Sequence, residues 1–332
     1  MAEPLLEVRD LSVEFPSEGR VVRAVDSVSF RLDAGRVLGV VGESGSGKSV
    51  TSLAILRLIA PPGRIAGGSI RFAGQDLLAL PEAGMAKVRG GGIAMISQNP
   101  ANSLNPVMTI GRQLVRVIRL HLGLGEAEAR AYALERLREL EITSAERRLE
   151  QYPHELSGGM CQRVMIAMAM APKPRLIIAD EPTTALDVTV QKQILHLLEQ
   201  LRAEHGVSII FVSHDIAVVS QIADDILVMY AGRAMETGPV GQVLAAPRHP
   251  YTRMLLASMP HLGTSRLRAR VPVIPGHVPS PTAAIRGCIF APRCPDAFDR
   301  CRAERPPLLA AGAHRASACW LTEAAARHEV AQ

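Results

Sequence analysis

The chain has 332 residues, of which 48% are hydrophobic and 21% charged. That is enough for one large domain with an appendage, or for two domains, and it excludes disorder throughout. The net charge of +5 lies in the tail: residues 261–332 hold ten Arg against five acids, so 1–260 sum to zero, which weakens any case for a nucleic-acid groove on the main body.

The longest apolar runs, Val164–Ala171 and Val207–Val212, are far short of the roughly 20 residues that cross a bilayer. The opening MAEPLLEVRD has acids and no apolar stretch, so no signal peptide is expected and the chain should stay in the cytosol unless a partner carries it to a membrane. Short Val- and Phe-rich segments at Leu5–Val8, Leu11–Phe15, Val21–Val25 and Val28–Leu32 predict strands. Arg36–Val41 predicts a buried strand, followed by a Gly-rich turn and a helix from Lys48 to about Leu58 that Pro61-Pro62-Gly63 breaks. Ile93–Ser97 is another short strand. From about 100 to 155 the pattern turns helical, with Leu134, Leu137 and Leu140 on one face. A helix over Gly159–Met170 precedes strands at Leu176–Ala179, Val207–Val212 and Ile226–Tyr230, with a helix at about Val188–Glu204 between the first two. Strands alternating with helices predict a mostly parallel sheet covered on both faces. Past residue 260 prolines become dense, which predicts a loop-rich segment in need of a staple.

Gly42-Glu-Ser-Gly-Ser-Gly47-Lys48-Ser49 matches G-x-x-x-x-G-K-[ST] between a predicted strand and a predicted helix. Its glycines allow successive N–H groups to face phosphate oxygens, and the helix N-terminus adds its positive dipole end. The loop residues Ser44, Gly45 and Ser46 and the following Val50 complete this binding segment. Lys48 is one of only four lysines beside 33 arginines. A compact ammonium suits β- and γ-phosphates where a broad guanidinium would not fit. Ser49 is placed to ligate Mg²⁺. A strand over 176–179 then delivers Asp180, a second metal-side acid, and Glu181, a candidate base that activates or orients the attacking water. Alone, two acids at a strand end would read as solvated caps.

Leu156-Ser157-Gly158-Gly159-Met160-Cys161-Gln162 resembles the signature of ATP-binding cassette (ABC) ATPases. Gln98 at a strand end, Ala185-Leu186-Asp187 after the acidic pair, and His214 in Phe211-Val-Ser-His-Asp follow in that family's order. The resemblance covers roughly 5–240. It implies an α/β P-loop NTPase cassette: a RecA-like parallel sheet core, an antiparallel β subdomain and a helical subdomain at about 100–171. The cassette would span 1–260, and a loop-rich, Cys-containing extension 261–332. It also implies a head-to-tail dimer enclosing ATP. Ser157, Gly158 and Gly159 open a helix whose N–H groups form a second anion site. One phosphate cannot readily touch both helix N-termini of one chain, but a facing subunit can supply the second. By the same resemblance Gln98 also ligates Mg²⁺, His214 contacts the γ-phosphate, Asp187 bridges the subunits and Phe15 stacks on adenine, although core packing accounts for a lone strand Phe nearly as well. Cys161 departs from the family, where a long polar residue is common; it is expected to be a tolerated, inert helix residue, or to tune the interface.

Gln98–Pro106, the segment after Gly238 and Arg248-His249-Pro250-Tyr251-Thr252 are similar to the oligopeptide/dipeptide importer ATPases, which carries the resemblance to about residue 320. It implies a peripheral subunit on the cytoplasmic face of the membrane, with a second cassette (copy or paralogue), two permeases and an extracytoplasmic binding protein. A short coupling helix of a permease would dock near Gln98 and the helical insert. Cys288, Cys294, Cys301 and Cys319 lack the C-x₂₋₄-C pairs of structural zinc sites, and four thiolates also satisfy an iron–sulfur cluster. Their positions match the tail of some peptide-importer ATPases that hold a [4Fe–4S] cluster; Zn²⁺ and free thiols stay open. The basic tail would offset an anionic cluster. Two other functions compete with a peptide importer: a soluble ABC ATPase acting on nucleic acid or ribosomes, and a sensor working through the tail. Within importers the cargo could also be nickel or another small solute.

Overall fold

The computed structural model describes residues 3–17, 19–184, 186–258, 273–280, 282 and 285–323. The chain opens with β1 (Leu6–Ser17), β2 (Arg20–Leu32), β3 (Val37–Val41), α1 (Lys48–Ile55), β4 (Arg64–Phe72) and β5 (Gln75–Asp76). It continues through α2 (Glu82–Val88), β6 (Ile93–Ile96), α3 (Pro100–Ser103), α4 (Ile110–Leu122), α5 (Glu126–Glu139), α6 (Ala145–Leu149), α7 (Gly158–Met170), β7 (Leu176–Asp180), α8 (Val188–His205) and β8 (Ser208–Ser213). It ends with α9 (Ile216–Ile222), β9 (Asp225–Tyr230), β10 (Arg233–Pro239), α10 (Val240–Ala245), α11 (Pro250–Ala257), α12 (Asp299–Ala303), β11 (Leu309–Ala310) and β12 (Ala316–Ser317).

Contacts divide the chain into two units. The first comprises the described residues up to Leu32, Val37–Leu78 and those from Ser213 onward; the second comprises Asp33–Arg36 and Ala79–Val212. By contacts, then, the C-terminal extension groups with the first unit.

The first unit contains an antiparallel sheet in the order β2-β1-β4-β5. It also contains β3 parallel to β9, followed by β10, β12 and β11, all antiparallel. The four strands predicted before residue 33 are two long ones. Asp10 and Ser27 adopt φ values of 50° and 54°, and the register shifts beside them. Those polar residues make bulges that let pairing continue, where sequence alone suggests turns. β4 and β10 were not anticipated. β4 carries Gly67-Gly68 and β10 ends in Gly238-Pro239, so neither has strand-like composition; pairing with β1 and β9 makes them strands.

The second unit holds β6, β7 and β8, parallel and in that order. All residues of β7 and β8 are buried, as expected of strands covered on both faces. The helical run α3–α7 also lies in this unit, where α4–α7 pack on one another. The inner row of α5 is Ala129, Ala133 and Leu137, a spacing of four, with Leu140 buried at its end; Leu134 is only half-buried, so the predicted face is rotated. Asp187 caps α8 and Gly206 closes it at φ 65°. The parallel strands, the antiparallel sheet and the helical run give the α/β architecture expected. Among the described residues no helix is long and apolar enough to cross a membrane.

Candidate functional site

In the first unit, β3 leads through the loop 42–47 into α1. Gly42 (φ 154°) and Gly47 (φ 96°) are obligatory: a Cβ on Gly42 would stand 2.0 Å from the Met229 carbonyl oxygen, and one on Gly47 2.5 Å from that of Ala24. Lys48 is buried at 5% exposure, and its Nζ donates to the carbonyls of Gly42 (2.8 Å) and Glu43 (3.1 Å). The ammonium therefore lies across the loop whose N–H groups would face phosphate. Ser44, Gly45 and Ser49 are exposed, Ser46 is buried and Val50 half-buried. Phe15 is half-buried on β1, opposite Val22, and its ring occupies the space a Gly63 side chain would need. His214, also in this unit, is exposed one residue past β8.

The second unit carries the acids. Asp180 ends β7, buried at 6% exposure. Glu181 adopts φ 49°, a left-handed conformation that is rare outside glycine. Its N–H donates to Val212 O (2.9 Å), and its Oε2 accepts from Gln98 Nε2 (2.9 Å) and Thr184 Oγ1 (2.8 Å). The structure thus brings Gln98 and Glu181 together, and it adds Thr184, which the sequence did not single out. Asp187 Oδ1 accepts from the N–H groups of Thr189 and Val190, both at 2.9 Å, so within this chain it acts as a helix cap. Ala185 lies outside the described residues.

Ser157 caps α7, its hydroxyl accepting from Met160 N–H (3.3 Å). Ser157 and Gly158 are exposed, and the first intrahelical bond runs from Cys161 N to Ser157 O. The N–H groups before it form the positive end of a 13-residue helix. Cys161 is buried at 3%, its thiol directed at Pro153 O (3.4 Å) and raised in pKa by burial. It presents nothing to the surface, which favours the inert role over the interfacial one.

In the extension, Cys288, Cys294, Cys301 and Cys319 line one cavity, together with His249, Phe290 and Trp320. All are free thiols. Burial pushes Cys294 and Cys319 up to about 11 and raises Cys288. Among the described residues the one group of three ligand atoms within 4.8 Å of each other is Glu139, Glu204 and His205, so no three of these sulfurs are that close. Thiolates around a single zinc at ~2.3 Å would stand about 3.8 Å apart. His249 is buried: its Nδ1 accepts from Tyr251 N–H (3.0 Å), and the Ala318 backbone lies beside the ring. Burial, then the charge of Arg253, pushes this imidazole down to about 3, so it is neutral near pH 7.

Three described arginines of the extension are paired with acids of the preceding cassette. Arg293 pairs with Glu43, Arg305 with Asp26 and Arg315 with Glu236. These three charges face acids of the first unit.

Comparison with known proteins gives two family matches, "ABC transporter" over residues 25–184 and "Oligopeptide/dipeptide transporter, C-terminal region" over 235–301. A peptide import ATP-binding protein of Brucella abortus is 50% identical over 316 residues, 95% of this chain and 94% of that one. The dipeptide transport ATP-binding protein DppD of Escherichia coli is 47% identical over 315 residues, 95% of this chain and 96% of that one. Among solved structures, the dimeric post-hydrolysis state of the ATP-binding cassette MJ0796 bound to ADP and Pi superimposes with a TM-score of 0.64 at 27% identity, covering 71% of this chain and 98% of that one.

Proposed function

The chain belongs to the ABC transporter family, in its oligopeptide/dipeptide branch, and from that premise we propose that it is the ATP-hydrolysing subunit of a peptide importer. One observation carries this reading: an ABC region and a peptide-transporter C-terminal region occur on a single chain whose relatives near 50% identity match along 95% of its length. The nucleic-acid, sensor and nickel alternatives have no comparable support.

In the proposed chemistry the N–H groups of loop 42–47 and the Lys48 ammonium hold the β- and γ-phosphates of ATP. Ser49, Gln98 and Asp180 are the residues to hold Mg²⁺, which would neutralise phosphate charge. Glu181 orients a water and accepts its proton as the oxygen attacks the γ-phosphorus. The bond to the bridging oxygen breaks, ADP leaves, and His214 hydrogen-bonds the γ-phosphoryl oxygens. The exposed N-terminus of α7 is suited to the phosphates held by a second cassette, which makes ATP the bond between two subunits and hydrolysis its release. The dimeric MJ0796 cassette supports this arrangement. Asp187 would serve the same interface.

Attachment to the membrane is proposed to run through permease subunits. Val107, 77% exposed shortly after Gln98, and Leu120, 76% exposed on α4, offer apolar surface to them. A binding protein outside the membrane would deliver the peptide. The four-cysteine cavity is proposed to hold a [4Fe–4S] cluster as a structural staple; zinc is the weaker candidate on spacing. Affinity capture of the chain from solubilised membranes, followed by peptide uptake in proteoliposomes made from the captured assembly, tests the assignment. Peptide- and ATP-dependent uptake is expected; capture without membrane subunits, or an assembly indifferent to peptides, overturns it.

A further inference from the structure

Arg293 stands beside Cys294 in the extension, yet its side chain reaches the phosphate loop. Each of its five N–H groups has an acceptor. Nε donates to Pro275 O (2.9 Å), one terminal nitrogen to Glu43 Oε2 (2.7 Å) and Tyr230 Oη (3.1 Å), and the other to Glu43 Oε1 (3.1 Å) and Ile274 O (3.2 Å). The side chain is 6% exposed. Glu43 is the second residue of the loop, and its backbone is held as well: its N–H donates to Tyr251 Oη (2.9 Å), and its carbonyl accepts from Lys48 Nζ (3.1 Å). Tyr251 and Tyr230 meet at a tilt of 53°, 4.8 Å between ring centres, with Phe290 of the extension 5.3 Å from the first and 5.2 Å from the second. Gly45 of the loop and Ser280, Thr282 and Ile285 of the extension line a common cavity of about 470 Å³.

We infer that Arg293 is a positioning residue for nucleotide: from the cysteine-bearing extension it braces Glu43 and sets the phosphate loop for ATP. A fork of fixed geometry meets a carboxylate through two parallel bonds and three further acceptors, which a lysine cannot reproduce. The loop must present several N–H groups at once, so a change in the Glu43 backbone costs contacts at every phosphate oxygen. The inference rests on the reading that this loop binds ATP, not on what fills the cysteine cavity.

The test uses the full-length chain and four variants: Arg293→Gln, Arg293→Lys, Glu43→Gln, and Arg293→Gln with Glu43→Gln. A fluorescent ATP analogue reports affinity, and steady-state hydrolysis separates KM from kcat. Arg293→Gln and Glu43→Gln should each weaken ATP about tenfold and raise KM with little change in kcat. Arg293→Lys should fall between wild type and Gln, and the double variant should be no worse than the weaker single. Unchanged affinity in Arg293→Gln, or losses that add in the double variant, overturns the brace. Should Arg293→Gln disturb the extension, Glu43→Gln removes the same contact from the loop side, and wild-type affinity there overturns it equally. A wild-type chain that binds no ATP overturns the nucleotide reading and the brace with it, an outcome distinct from wild-type binding with indifferent variants.

Discussion

Replacing Glu181 with Gln tests the assignment of the base with little structural disturbance. Glu181 is held at φ 49° by its N–H to Val212 O (2.9 Å) and by two donors, Gln98 and Thr184, on one carboxylate oxygen. A glutamine keeps the size, the backbone bond and an amide oxygen able to accept both donors. What it loses is the charge and the capacity to take a proton. A positioned general base contributes roughly 10²–10⁴ in rate. That corresponds to about 2.7–5.4 kcal/mol on the barrier at 1.36 kcal/mol per tenfold. Turnover at saturating ATP, followed by phosphate release, should therefore drop at least about a hundredfold, with nucleotide affinity within about twofold of wild type. Light scattering should show an ATP-dependent dimer that outlives the wild-type one. Turnover within a few-fold of wild type would remove Glu181 as base. A matching collapse of affinity would show that the amide had disturbed the loop instead.

Lys48→Ala removes the ammonium that crosses the loop carbonyls of Gly42 and Glu43; tight ATP binding should vanish in a nucleotide titration, and retained affinity would refute the phosphate role. Protein purified without oxygen should carry iron and sulfide and absorb near the violet edge of the visible range, while Cys301→Ser should lose most of that absorbance; colourless protein with one zinc per chain would overturn the cluster. Arg315→Met should cost about 3–5 kcal/mol in denaturant unfolding, because it strands the buried Glu236 carboxylate, 2.8 Å from the arginine nitrogen, without its counter-charge. A loss below about 1 kcal/mol would mean that the Arg248 and His249 N–H groups, which also donate to Glu236, suffice.

The phosphate loop was legible because its requirements are local: glycines at fixed offsets, a lysine, and a strand and helix on either side. The parallel strands were legible because burial on both faces leaves uninterrupted runs such as Leu176–Ala179. β4 and β10 were not, since their partners rather than their composition make them strands. Glu181 could be nominated from its place after Asp180, but its left-handed backbone and the Thr184 bond could not. Arg293 was hidden by distance: it meets Glu43 across 250 positions, and nothing in the chain marks one arginine among 33. Its one signal was adjacency to Cys294.

The extension shows why the tail is basic. Its own apolar cluster is small, built on Ala291, Cys301 and Trp320 with Cys288, Ala297 and Leu309 against it. So little buried area cannot order some fifty residues against their conformational entropy. One other device does so in the structure, and a second is proposed. Arginines reach acids spread over the first unit, Glu43, Asp26 and Glu236, and Arg300 lies 3.5 Å over the Trp320 ring. The four thiols, drawn to one cavity from positions 288 to 319, supply the second if a cluster ties them. Ion pairs of this burial position a segment more than they stabilise it, since desolvation offsets most of their attraction. The extension is therefore placed by its arginines, a group bound by its cysteines would strengthen it, and removal of such a group should then loosen the segment from which Arg293 reaches Glu43.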